Sequence, residues 1–102
     1  MNEYFVPKKE YARLVLLKYD GPLIPYYHRP LYQQAFNWIL KNHGLICMVV
    51  FIDDETHWTY RIFGRDVMSP FYEFTLEIEE FSSQEEAQLG CLRKMLDILE
   101  QE

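Results

Sequence analysis

Three histidines, two cysteines and one acidic turn are the groups in this 102-residue chain best equipped for chemistry. His28, His43 and His57 are scattered singly. A metal site draws on repeated short spacings such as HExxH or a Cys/His cluster, and none occurs. Asp53, Asp54 and Glu55 could touch a cation, but the run lacks the glycine and the spaced oxygen ligands of a calcium loop. It reads as a solvated turn. There is no glycine-rich phosphate loop and no GxSxG elbow. His43 falls in the last turn of a helix, where the negative end of the dipole favours an imidazolium, so it reads as a helix-end residue. Cys47 lies in an apolar run and Cys91 on an apolar helix face, neither in a CxxC spacing. Both are expected as buried free thiols, which suits a reducing cytosol. The expectation is a protein with no catalytic residue, no metal and no cofactor.

What remains is recognition chemistry. Tyr26 and Tyr27 sit in PLIPYYHRP, a proline-rich connector before a helix. Exposed tyrosines dominate interface hot spots, although one of the pair could as well hold the loop to the core. In FYEFTLEIEEF, Tyr72, Phe74, Leu76 and Ile78 alternate with Glu73, Thr75, Glu77 and Glu79. A strand sends successive side chains to opposite faces, so this run has an apolar face and an acidic one. Glu73, Glu77 and Glu79, with Arg61 from the neighbouring strand, are candidates for meeting a basic protein partner. Trp38, Trp58 and Tyr60 could instead line a pocket for a small molecule between sheet and helices. A protein-interaction module is the first reading, a small-molecule-binding module the alternative, and an enzyme the third.

Those residues need elements to position them. LICMVVFI, HWTYRIF and FYEFTLEIEEF predict a three-stranded antiparallel meander. In the second strand Trp58, Tyr60 and Ile62 share one face, and His57, Thr59 and Arg61 the other. The first strand is apolar on both faces, so its outer side is either covered or used to pair with a second copy in a homodimer. PLYQQAFNWILKNHG predicts a helix over 30–43. Tyr32, Ala35, Phe36, Ile39 and Leu40 form its core stripe, Gln33, Gln34, Asn37 and Lys41 lie on the other side, and Gly44 is the stop. SSQEEAQLGCLRKMLDILEQE predicts a helix over 83–101 capped by Ser83 with Glu86 as a capping box. Its core stripe is Ala87, Cys91, Met95, Ile98 and Leu99, widened by Leu92 and Leu96. Segment 7–19 fits a short helix opened by Pro7 and stopped by Gly21, with a strand as the competing reading. The predicted fold class is α+β, in the order (α)-α-β-β-β-α, with helices packed on one face of the sheet, as a single domain over 1–102.

Apolar residues make up 49% of the chain and aromatics 17%, enough for one core without metal or disulfide. The net charge of −6 argues against a nucleic-acid backbone as partner. The charge is uneven. Residues 1–44 hold six Lys/Arg against three Asp/Glu, a net of +3, while residues 45–102 hold four against thirteen, a net of −9. The two halves are expected to attract each other within one fold. No apolar run approaches the ~20 residues that span a bilayer, and the N-terminus has no signal-peptide core, so no membrane association is expected.

Two resemblances bear on these readings. The order helix, three strands, helix loosely resembles the double-stranded-RNA-binding domain. That family places lysines at the start of its last helix, where this chain has Gln84, Glu85 and Glu86, so the likeness speaks against RNA binding. PLYQQAFNWILKNHG, through Pro30, Gln34, Ala35, Trp38 and Gly44, together with Phe81, Glu86, Ala87 and Leu92, resembles a group of short uncharacterised proteins of gut anaerobic bacteria and their phages. That likeness implies an accessory or mobile-element role in the cytoplasm and lends no catalytic residue.

Overall fold

The computed structural model describes residues 5–51, 57–64 and 80–101, and the backbone of 72–73. The fold is α+β. Its elements run α1 (Lys8–Leu16), α2 (Tyr32–His43), β1 (Leu45–Phe51), β2 (Trp58–Gly64), β3 (Tyr72–Glu73) and α3 (Gln84–Glu100). β1 and β2 form an antiparallel pair along their whole length. β3 is a two-residue rung in which Glu73 and Tyr72 stand opposite Phe63 and Gly64. The rest of the acidic alternating run lies outside the described residues, as does the Asp53–Asp54–Glu55 turn. Phe81 makes a separate bridge to Trp58, with both backbone hydrogen bonds at 2.8 Å. The Glu73 and Phe81 pairings do not share one register. They bracket four residues of β2 and seven of the other segment.

The β1–β2 register sorts the side chains by face. Leu45, Cys47, Val49 and Phe51 stand opposite Gly64, Ile62, Tyr60 and Trp58. This face joins α2 and α3 in one core that holds Leu45, Tyr60, Ile62, Ile39, Leu92, Met95 and Leu96. On the other face Ile46, Met48 and Val50 stand opposite Phe63, Arg61 and Thr59. Thr59 is buried there, whereas Met48 is 47% exposed.

The helices form where the apolar spacing places them, with shifts at their ends. Segment 7–19 carries a helix, α1, but it ends at Leu16, well before Gly21. Lys18 adopts a left-handed φ of 68°, its N–H donates to Val15, and the Tyr19 N–H donates to Leu14. This is the double reverse bond that normally recruits glycine. Here it lets Tyr19 turn its ring onto Trp38, centroids 5.1 Å apart. Gly21 has a different role. A Cβ there would stand 2.7 Å from the Tyr19 hydroxyl oxygen. α2 begins at Tyr32 rather than Pro30, with Gln34 Oε1 accepting from the Leu31 N–H at 2.8 Å. Gly44 closes it in the left-handed conformation, as its position requires. Trp38, outside the expected core stripe, is 8% exposed. In α3, Ser83 Oγ accepts from the Glu86 N–H at 3.1 Å, so the cap forms. The Glu86 carboxylate accepts from the Ser82 hydroxyl at 2.9 Å. Leu92 and Leu96 are fully buried while Ile98 is half-buried, so the core stripe is centred one position from where the spacing put it.

The cysteines require a correction. Cys47 and Cys91 are not free thiols; they are joined by a disulfide between β1 and α3, with Cα atoms 6.7 Å apart. They are 44 residues apart in sequence, and only the packing of α3 on the inner face of β1 brings them within disulfide reach. A disulfide removes the ground for placing the protein in a reducing cytosol.

Candidate functional site

Two surfaces stand out. The first is a short aromatic turn. Ile24 and Arg29 form an antiparallel bridge, and the Ile24 carbonyl accepts from both the Tyr27 N–H at 3.1 Å and the His28 N–H at 2.9 Å. His28 closes the turn with a φ of 55°, a conformation that histidine tolerates better than most residues. The base of the turn is fixed. The Val6 N–H donates to the Pro30 carbonyl at 2.9 Å, and an Arg29 guanidinium nitrogen donates to the Val6 carbonyl at 3.2 Å. Phe5 lies between the two, its ring 4.3 Å from that of Tyr27 and 6.0 Å from the Arg29 guanidinium. Tyr26 projects from the tip, 92% exposed, beside exposed Tyr27 and Leu23.

The second is a cleft of about 440 Å³ between α2 and the segment that follows α1. Gln34, Asn37, Trp38, Lys41 and Asn42 line one side, and Asp20, Gly21 and Pro22 the other. The Trp38 indole N–H donates to Asp20 Oδ1 at 2.6 Å, and the Tyr19 hydroxyl donates to the Pro22 carbonyl at 2.7 Å. His43 is 5.2 Å from the Trp38 ring. Burial pushes the Tyr19 phenol up to about 12, with the negative charges of ionised Tyr11 and of Asp20 adding to the effect.

The expected pocket residues are distributed over the core. Trp38 packs on Tyr19 and His43, Trp58 on Phe51 at 4.9 Å, and Tyr60 on Phe81 at 5.9 Å. Of the three, Trp38 lines the cleft. Tyr26 and Tyr27 are together on the turn. Arg61 is exposed on β2, with its guanidinium 5.7 Å from the Phe63 ring. Glu77 and Glu79 lie outside the described residues, and Glu73 is placed only by its pairing with Phe63. Among the described residues, no three of His, Cys, Asp and Glu gather as metal ligands would, and no helix is long and apolar enough to cross a membrane.

Sequence reasoning missed one charged group. Glu10 in α1 is 2% exposed and accepts from Arg93 Nε of α3 at 3.1 Å. Its signal was the break it makes in an otherwise amphipathic helix, since a buried carboxylate needs a partner. Comparison with family models, curated proteins and solved structures finds no match to this chain.

Proposed function

We propose that the protein is an interaction module that meets a protein partner with the aromatic turn of residues 23–29. The observation behind this reading is Tyr26, a large aromatic side chain left 92% exposed on a turn whose base is held by backbone and guanidinium hydrogen bonds. A preordered aromatic tip loses little conformational freedom on docking, and Tyr and Arg are the residue types that anchor interfaces. A second contact is the acidic run. The alternating sequence, with the Tyr72–Glu73 rung near one end and the Phe81 bridge at the other, supports a third strand over 71–81. Such a strand would offer Glu73, Glu77 and Glu79 to a basic partner.

The test is a photo-crosslinking amino acid at position 26 in the protein's own host cells. Crosslinking to one protein species, lost when the label is moved to exposed Lys94 of α3, supports the reading. A product of twice the chain mass would identify the partner as a second copy. Absence of any product at position 26 overturns it. In the same cells, acid quenching followed by alkylation in denaturant, which opens buried Cys91 to the reagent, reads the state of the two thiols. Two labelled cysteines mean the cytoplasm suggested by the family likeness. Two protected ones mean an oxidising compartment.

A further inference from the structure

α2 has two working faces. Its apolar stripe enters the core, while Gln34, Asn37, Trp38, Lys41 and Asn42 follow at i, i+3, i+4, i+7 and i+8 and line the cleft. We propose that this cleft is a binding site for a small, neutral, hydroxyl-rich molecule, such as a monosaccharide or disaccharide.

The walls are built rather than incidental. The Asp20–Pro22 side is held by the Trp38 to Asp20 and Tyr19 to Pro22 hydrogen bonds, and Gly21 gives the Tyr19 ring room to lie against it. The volume of about 440 Å³ falls within the roughly 300–1,000 Å³ of small-molecule sites. The polar lining then selects the ligand class. Gln34 spends its Oε1 on the Leu31 N–H, which leaves its NH₂ as a donor. Asn42 spends its Nδ2 on the Trp38 carbonyl, which leaves its Oδ1 as an acceptor. Asp20 spends one oxygen on Trp38 and keeps the other, Lys41 adds a donor, and Asn37 offers an amide at the exposed rim. The cleft therefore offers both donors and acceptors, and hydroxyl groups, which are both, suit such a set. The charges of Asp20 and Lys41 cancel. An anion would meet Asp20 and a cation would meet Lys41, so a neutral ligand fits best. Exposed Pro22, with the small part of Trp38 that its 8% exposure leaves at the cleft, supplies the apolar surface for the carbon face of a sugar ring.

The experiment uses the full chain with glucose, galactose, N-acetylglucosamine and maltose, each titrated to about 20 mM, a range that captures a millimolar site. Binding is read by saturation-transfer NMR and by Trp fluorescence. At least one sugar should bind saturably. Asn37→Ala and Lys41→Ala, both of exposed side chains, should each weaken it about two- to ten-fold, the loss of one hydrogen bond, with the melting temperature unchanged. Tyr26→Ala should leave it unchanged. The proposal is overturned if none of the four sugars saturates, or if the binding found is indifferent to both cleft variants. It is equally overturned if acetate or methylammonium competes as well as any sugar.

Discussion

α3 is held on two sides by different means, and the contrast separates what stabilises this fold from what orients it. Against the sheet, Cys91, Leu92, Met95 and Leu96 are fully buried in the core they share with Leu45, Tyr60 and Ile62, and the Cys47–Cys91 disulfide crosses the same seam. Against α1, ion pairs join the burial of Leu14 in that same core. Arg13 Nε and NH₂ donate to the two Glu100 oxygens at 2.8 Å each, and its NH₂ also donates to Asp97 at 2.6 Å. One turn earlier, Arg93 of α3 donates to Glu10 of α1. The two pairs have opposite polarity, so they fix the axial alignment of the helices: sliding one along the other would bring like charges together. A large apolar side chain contributes about 1.5–3 kcal/mol on burial, whereas an exposed ion pair contributes little. The apolar core supplies most of the stability, and the ion pairs on the α1 side set the register.

The largest effect expected from breaking this contrast is on the covalent link. Chain-entropy reasoning for a loop of 44 residues gives the disulfide about 4 kcal/mol. Cys47→Ala/Cys91→Ala should lower the free energy of unfolding in urea by roughly 2–5 kcal/mol, and reduction with dithiothreitol should reproduce most of that without changing side-chain volume. A reduced protein as stable as the oxidised one would mean that the apolar seam alone holds α3 to the sheet.

The second is on the buried half of the ionic seam. Arg93→Ala strands the Glu10 carboxylate in the core. A fully buried pair broken this way costs about 3–5 kcal/mol, and because the Arg93 side chain is 53% exposed the expected loss is nearer 2 kcal/mol. Glu10→Gln/Arg93→Ala should recover part of it, since a neutral amide is less costly to bury. Equal losses in the single and double variants, measured by urea unfolding, would show that the carboxylate charge is not what matters.

The seams also show what the sequence could and could not reveal. The α+β class, helix α2 with its Gly44 stop, the Ser83 cap of α3 and the face assignment of Trp58, Tyr60 and Ile62 all follow from periodicity and cap chemistry, which are local. The disulfide was misread because it depends on which face of β1 meets α3, and that is fixed by tertiary packing alone. Trp38 falls outside the expected core stripe and reads in the sequence as a pocket residue; its burial comes from Tyr19 and Asp20, residues that reach it only after Lys18 takes the left-handed turn. The charge asymmetry of the two halves suggests attraction between them but names no pair; the Arg13 contacts follow its sign, and the Glu10–Arg93 pair runs against it. For the candidate surfaces, the exposed tyrosines were legible as a proline-loop cluster. The cleft was not, because one of its walls, Asp20, Gly21 and Pro22, comes from a segment whose path is set by that same left-handed turn.

The smallest expected effect is at Arg13, and it is the one that isolates the wet half of the seam. The side chain is partly exposed and its partners Asp97 and Glu100 more so, so solvent screens the attraction. Arg13→Ala should lower the melting temperature by only about a degree or two at low salt, and by less at high salt. The pH dependence gives a sharper signature. The Arg13 guanidinium holds the Glu100 carboxyl below the usual carboxylate range. A carboxylate depressed in the folded state adds stability above its ordinary pKa and loses it as pH falls through the folded value. The stability difference between wild type and Arg13→Ala should therefore be present at neutral pH and vanish on the acid side. In Arg93→Ala, a large loss at neutral pH should remain when salt is raised, because water and ions do not reach Glu10. Salt would then erase one variant's defect and leave the other, which is the behaviour expected if burial, rather than the number of contacts, sets the weight of each pair.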